Sequence, residues 1–394
     1  MITKTGRRLK AVYFTMEGLS SFAVSLYSYY IYFFMRDQFG FSTRDNLAFA
    51  ALNGLIYIIS AWQGGRFGQR RGYFNAFKAG FGLQIAALAG GVAFPSAIGL
   101  VLATGLFNVG MCFIWPTIEA LVSEGEDAVG LPRRVGTYNV VWASTNALAL
   151  FTGGTLVQQF GYKTIFYLPL AVLVVLLAAV FRLEPQANAA RAGGYEPATS
   201  PPPDPRRPSP ARTKAFLRMA WLANPFAYIA INTFIPMLPT LAAHFHLTPM
   251  FAGFACSLWG FVRLGTFVVL WLWTDWHYRF RWLVTSFALL VVSFAAILIV
   301  PSLIAMLAAQ IIFGVAIGLI YYSSLFYSMD AGDDKGDHGG IHEAAIGVGN
   351  CVGPAVGALS LQFLPQFASS GAVAVSGLLL CGLGGLVAIW KSGR

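Results

Sequence analysis

Charge is what this chain has least of. Asp, Glu, Lys and Arg make up 11% of its 394 residues, against about 25% in soluble proteins, so it cannot clothe itself in a solvated surface. Cysteine stops at four, and Cys112, Cys256, Cys351 and Cys381 all fall in apolar runs, where they read as small packing residues rather than a disulfide framework. No Gly-x-x-x-x-Gly-Lys-Ser/Thr loop occurs, so the chain brings no ATPase of its own. Histidine numbers only five. The stretch DDKGDHGGIHE (333–343) lacks the His-Glu-x-x-His spacing, and His244, His246 and His277 lie elsewhere. A membrane metalloenzyme is therefore a remote reading, and neither metal nor cofactor is expected. Basic residues are not interleaved with aromatics in the way that stacks bases, so the net charge of +10 does not point to nucleic acid.

What the chain has instead is hydrophobicity, 57% of residues, arranged in runs of about 20, the length of a membrane-spanning helix. Twelve runs are predicted, at 11–35, 46–65, 73–93, 96–121, 135–159, 164–182, 215–242, 250–273, 282–301, 303–328, 341–363 and 370–390. The fold class is thus all-α and integral to the membrane. If the N-terminus is cytoplasmic, every Lys and Arg of the 26 lies on that side except Arg36, Arg44 and Lys163 opposite and Arg263 in mid-span. This positive-inside bias predicts a multi-pass protein of a bacterial-type inner membrane with both termini in the cytoplasm. The first run is too long for a signal peptide and lacks a small-residue cleavage pattern.

The runs fall into two halves, 1–183 and 215–394, around a Pro- and Ala-rich stretch at 184–214 that cannot bury enough apolar area to fold alone and reads as a flexible cytoplasmic linker. QFGFST (38–43) echoes HFHLTP (244–249), and TNALALFTGGTL (145–156) echoes GNCVGPAVGAL (349–359). The near-equal offsets suggest one six-helix unit used twice, an arrangement of secondary transporters that bind substrate between the halves.

Over nearly its whole length the chain resembles the major facilitator superfamily (MFS). AWQGGRFGQRRGYF (61–74) supplies Arg66, Gly68, Arg70 and Arg71 of that family's loop motif between helices 2 and 3, with Ala61 and Gly65 where the family has Gly and Asp. Gly349, Gly353, Pro354 and Gly357 resemble its glycine–proline motif, here on helix 11; the helix-4 arginine motif of many proton-driven exporters is absent. The resemblance implies two pseudo-symmetric six-helix bundles, with helices 6, 9 and 12 facing lipid and helix 1 lining a cavity. It also implies a cytoplasmic gate in which Arg66, Arg70 and Arg71 meet Glu343, beside His342, or the nearby aspartates Asp330, Asp333, Asp334 and Asp337. Asp275 would face Arg133 or Arg134 in the second half. Solvated loop charge is the simpler reading of these residues. The row Gly349, Gly353, Gly357 lets two helices approach closely and Pro354 permits a bend, in a moving contact or a static one.

Ionisable groups inside a span are functional candidates. Glu17 leads a polar stripe of Ser21, Ser25, Ser28 and Tyr32. Burial penalises the ionised form of a carboxylate, which makes Glu17 the candidate proton carrier, a structural hydrogen bond being the other reading. Glu119 sits near the end of helix 4, with a gate or structural role open to it as well. Arg263, mid-way along helix 8, cannot shed its proton and needs an acid, a carbonyl or an anionic substrate. Lys78 and Arg218 read as interfacial anchors. Helices 6, 9 and 12 carry no ionisable residue in their cores, whereas the others offer Asn53, Tyr57, Asn108, Trp115, Asn139, Trp142 and Asn146, then Trp221, Tyr228, Asn232, Trp259, Gln310, Tyr321, Tyr322 and Asn350. Such an amide- and aromatic-rich set suits an organic solute with an apolar body. Pro236 and Pro239 beside Asn232 suggest a broken helix 7. The set expected to hold substrate or proton is Glu17, Ser21, Tyr57, Asn108, Trp115, Glu119, Asn146, Asn232, Trp259, Arg263, Tyr321 and Tyr322. The expected activity is alternating-access transport of a small organic solute, proton-coupled, by a monomer contacting membrane lipids. Uptake of a nutrient or organic anion, by symport or facilitation, is the alternative, and a non-transporting sensor or scaffold a remote one.

Overall fold

The computed structural model describes residues 4–124, 130–192, 208–331 and 335–392, without side chains for 4–7, 130–132, 190–192, 329, 331 and 335–345. Its helices are α1 (Lys4–Phe39), α2 (Thr43–Arg71), α3 (Tyr73–Ala93), α4 (Ala97–Ser123), α5 (Gly130–Phe160) and α6 (Thr164–Ala192). The second set is α7 (Pro210–His244), α8 (Pro249–Leu272), α9 (Phe280–Ile299), α10 (Leu303–Ala331), α11 (Lys335–Phe363) and α12 (Ser370–Ser392). Helix α6 runs past Glu184 to Ala192 and α7 begins at Pro210, so both intrude on the stretch read as linker; residues 193–207 lie outside the described set.

Eleven of these helices are long and apolar enough to cross a membrane. The exception is α1, whose mean hydropathy is lowered by the same serines and tyrosines that make it an inner helix: Ser20, Ser21, Ser25, Tyr27, Tyr29 and Tyr30 are all buried. A helix surrounded by protein needs no apolar coat. Expected as broken, α7 is continuous from Pro210 to His244 with Pro225, Pro236 and Pro239 inside it. Each proline removes one backbone donor, but α7 is the most deeply buried of the candidate spans and packing from all sides holds its course.

The repeat is visible in the turns. Ser42 caps α2 by accepting from the Asp45 amide, and Thr248 caps α8 by accepting from the Phe251 amide. Gly40 and Gly72 have φ of 69° and 92°; the residues at the same repeat offset, His246 and Tyr278, have φ of 51° and 52°. Left-handed backbone is uncommon outside glycine, so the second copy keeps the turn geometry after losing the glycine that suits it.

Helices α1–α6 pack among themselves, as do α7–α12, and the halves meet along α2–α11, α5–α8, α1–α7 and α2–α7. Among the described residues, helices α6, α9 and α12, and with them α3, approach only helices of their own half. The seams are glycine contacts. A Cβ on Gly54 of α2 would lie 2.4 Å from the Asn350 carbonyl carbon of α11, and one on Gly154 of α5 would lie 2.0 Å from the Pro249 carbonyl oxygen of α8. The expected single row on α11 divides. Gly349 and Gly353 press on α7 at Pro225, Tyr228 and Ile229, while Gly357 faces Leu47 of α2. At 3.6 residues per turn an i, i+8 pair is rotated by about 80°, enough to give the last glycine a different neighbour.

Candidate functional site

A cavity of about 210 Å³ lies between the halves, walled by α1, α2, α4, α5, α7, α8, α10 and α11. Along α1, Glu17, Ser21, Ser25 and Tyr29 follow at one-turn spacing and all reach the wall. Glu17 is 1% exposed; its Oε1 accepts from Ser21 Oγ at 2.7 Å, and its Oε2 has no protein partner. Two turns above Glu17, Asn146 of α5 joins three elements. Its Nδ2 donates to Ser25 Oγ at 2.8 Å, and its Oδ1 accepts from Tyr29 at 2.5 Å and from Arg263 Nη2 at 3.2 Å.

Arg263 of α8 is 5% exposed. Its guanidinium carbon stands 4.7 Å from the Trp142 ring centre and 4.8 Å from that of Trp259. No carboxylate among the described residues pairs with it, and its Nε–H finds no acceptor. On the other side of the cavity, Asn232 Nδ2 donates to Asn350 Oδ1 at 2.6 Å and Asn108 Nδ2 to Asn53 Oδ1 at 2.9 Å. Asn350 is the repeat counterpart of Asn146, so each half buttresses its inner wall with an asparagine on the equivalent helix. Trp115 and Glu119, one turn apart on α4, complete the polar lining together with Tyr57 and Tyr321.

Of the twelve residues singled out from sequence for substrate or proton, only Tyr322 is off the wall. It packs on Phe267 and Trp276 instead. Successive helical residues point about 100° apart, so Tyr321 and Tyr322 cannot both face the cavity. Among the wider set, Asn139 accepts from the Trp142 indole, Trp221 donates to Ser328 and Gln310 to the Ala255 carbonyl; none of these three lines the cavity. Sequence reasoning passes over Tyr29, because the α1 stripe was traced through Ser28 and Tyr32, although Tyr29 stands one turn beyond Ser25.

The basic loop between α2 and α3 makes local contacts among the described residues. Arg66 lies over the Trp62 ring at 4.0 Å, Arg70 and Arg71 are exposed at the end of α2, and none of the three pairs with a described carboxylate. Gly68 is buried against Thr117 of α4. Arg133 and Arg134 stand near the start of α5 and Asp275 in the exposed loop after α8. The side chains of His342, Glu343 and Asp337, and residues Asp333 and Asp334 altogether, lie outside the described residues. Asp330 accepts from the Tyr278 hydroxyl.

The end of the bundle away from the chain termini is closed by contacts that sequence did not flag. Arg36 of α1 donates across to the Pro239 carbonyl of α7 while its Nε pairs with Asp37 at 2.7 Å. Thr43 and Thr240 share a 2.7 Å hydrogen bond, Arg44 donates to Gln362 at 2.7 Å, and the Met250 amide donates to Gln158 at 3.2 Å. Toward the terminal end the backbones of α4 and α5 stay apart from those of α10 and α11 among the described residues, although the Trp142 ring of α5 meets the Tyr321 ring of α10 with 5.5 Å between centres. The far end of the cavity is therefore sealed by direct contacts between the halves. Arg36→Ala should loosen the seal. One partly exposed charge-assisted bond contributes about 1 kcal/mol, a roughly fivefold change in the ratio of open to closed far ends. Labelling of a cysteine placed at Ile235 by an impermeant reagent from that side reads it, and an unchanged rate would mean that packing alone makes the seal.

A sequence model described as Major Facilitator Superfamily matches residues 100–354, well over half the chain. The chain belongs to the major facilitator superfamily. Its membership and its two six-helix bundles make it a secondary transporter rather than an enzyme. No curated protein matches it in sequence, but MFS structures superpose over almost its entire length. A structure from a study of substrate recognition in proton dependent oligopeptide transporters has a TM-score of 0.68 at 16% identity, covering 98% of both chains. The human organic anion transporter MFSD10 (TETRAN) gives 0.67 at 14%, covering 98% of this chain and 100% of its own. A bacterial homologue of the human lysosomal transporter Spinster, inward-facing and unoccupied, gives 0.68 at 12%, with 98% and 96% covered. At these identities the likeness is one of fold.

Proposed function

We propose that this protein is a proton-coupled secondary transporter that moves a small organic solute with an apolar body by alternating access, and that its structure is the cytoplasm-facing state. Glu17 carries the proposal: a carboxyl on the cavity wall, buried, with one oxygen held by Ser21 and the other without a protein partner. In a state where water reaches it, an ionised Glu17 is solvated. When the walls close and expel that water, desolvation penalises the charge, and the group is ready to carry a proton with the solute. The likeness in fold to a structure from a study of proton dependent oligopeptide transporters is consistent with this. The concentration of Lys and Arg at the terminal end supports cytoplasmic termini in a bacterial-type inner membrane. Asn108, Asn232, Trp115, Trp259 and Tyr321 would contact the solute. Arg66, Arg70, Arg71, Arg133, Arg134 and Asp275 remain the proposed cytoplasmic gate, formed when the halves rock inward.

Organic-anion uptake, the second reading, has Arg263 in its favour, because that cation has no acid partner among the described residues. Reconstitution into vesicles with a trapped pH reporter tests the main reading. Addition of membrane-impermeant solutes (zwitterionic aromatic amino acids, dipeptides, benzenesulfonate) should set protons moving with at least one class. Solute entry with no proton movement would remove the coupling.

A further inference from the structure

We infer that the α5–α8 side of the cavity is a monoanion subsite, built to take one carboxylate or sulfonate attached to an apolar body. This names the cargo of the transport reading above and rests on it for that word only; the subsite itself stands on the donor set.

Trp259 and Arg263 are one turn apart on α8 and so share a face. Both are at least nine-tenths buried and both line the cavity. Each presents an N–H without an acceptor: Nε1 of Trp259 and Nε of Arg263. A third such donor, Nε1 of Trp115 on α4, belongs to the same cavity. Indole and guanidinium N–H groups only donate, so the α8 face displays a cation and two unanswered donors where an acceptor is needed.

Among the described residues no charge answers Arg263. Asn146 gives it one neutral oxygen, already shared with Tyr29, and Trp142 and Trp259 give it aromatic rings. The acidic residues on the wall are Glu17 and Glu119, and neither is within ion-pair distance of it. Glu17 lies about 12 Å along the α1 axis from Ser25, the rise of eight residues, and bonds Ser21 rather than the Asn146 cluster. A buried cation with no counter-ion is costly, and an anionic guest is the group that offsets it. Among the described residues Arg263 is also the sole Lys or Arg on the wall, so a second negative charge would go unanswered there, which limits the guest to one. The neighbouring Val24, Ile31, Ile231 and Ile235 suit an apolar body and not a sugar.

The test is ligand binding to the purified full-length protein, read by intrinsic tryptophan fluorescence. Benzenesulfonate, benzoate and hexanoate should bind saturably, and the uncharged and cationic isosteres benzamide and benzylamine at least tenfold more weakly. Arg263→Gln should erase that preference. So should Asn146→Asp, which sets a carboxylate where an oxygen already stands 3.2 Å from Nη2 and answers the cation from within. Equal affinity for benzoate and benzamide, no saturable binding of any of the three anions, or a preference that survives both substitutions would overturn the subsite. Should either variant fail to fold, the isostere series on the unaltered protein decides. Binding needs no flux, so the two readings fail separately. Anion binding without solute or proton movement in vesicles removes the transport proposal alone, and proton-driven movement of neutral solutes with indifference to anions removes the subsite alone.

Discussion

Glu17→Gln is expected to abolish proton-driven accumulation while leaving exchange of solute across the vesicle membrane intact. Glutamine keeps the volume of the side chain and an oxygen for the Ser21 hydroxyl, which donates to Glu17 at 2.7 Å, so the wall is preserved and only the titratable group is lost. One coupled proton and a gradient of one pH unit support about tenfold accumulation, 1.36 kcal/mol; in the variant the inside-to-outside ratio should settle near one. Counterflow, in which labelled solute exchanges against unlabelled, needs no net proton and should persist. With a monoanion bound at Arg263, one proton per cycle makes the movement electroneutral, so accumulation should follow the pH gradient and ignore an imposed membrane potential. A variant that still concentrates solute would shift the proton route to Glu119, the other carboxylate on the wall.

Gly54→Val is expected to destabilise the protein by about 1–3 kcal/mol or more, the cost of overpacking a close contact. The added Cβ would sit 2.4 Å from the carbonyl carbon of Asn350 and 2.5 Å from its oxygen. Those are backbone atoms of α11, which move only if the helix moves. Since α2–α11 is one of the seams between the halves, the same change should slow transport by wedging them apart. Gly65→Ala on the same helix is the contrast. Nothing lies within 4 Å of its Cβ position, so relief of the helical glycine penalty should stabilise by about 0.5–1 kcal/mol. Thermal unfolding of the two variants reads the difference in sign. Equal behaviour would mean that the α2–α11 seam yields freely.

Much of the site was legible because it sits on helices of known period. Spacing along α1 linked Glu17 to Ser21 and Ser25, and the two echoing stretches put Asn146 opposite Asn350 before either was seen to brace its half. The misses share one cause, the rotation of a helix about its axis. Nothing in the string YY says that Tyr321 faces the cavity and Tyr322 the Phe267–Trp276 cluster, and nothing in a regular glycine row says that Gly357 leaves α7 for α2. The far-end closure was missed for another reason. Arg36 reaches a backbone carbonyl, and a carbonyl has no signature in sequence.

The sequence by itself determined the spans, their number and the doubling of a six-helix unit. In lipid every backbone polar group must be satisfied within its own segment, so composition over about 20 residues is enough to fix a helix. The tertiary structure alone decided that Arg263 lies against two tryptophans without an acid, that Glu17 stands apart from it, and which end of the cavity is shut. Those facts depend on how twelve helices rotate and lean on one another, and that is set by close contacts between residues as distant in the chain as Gly54 and Asn350.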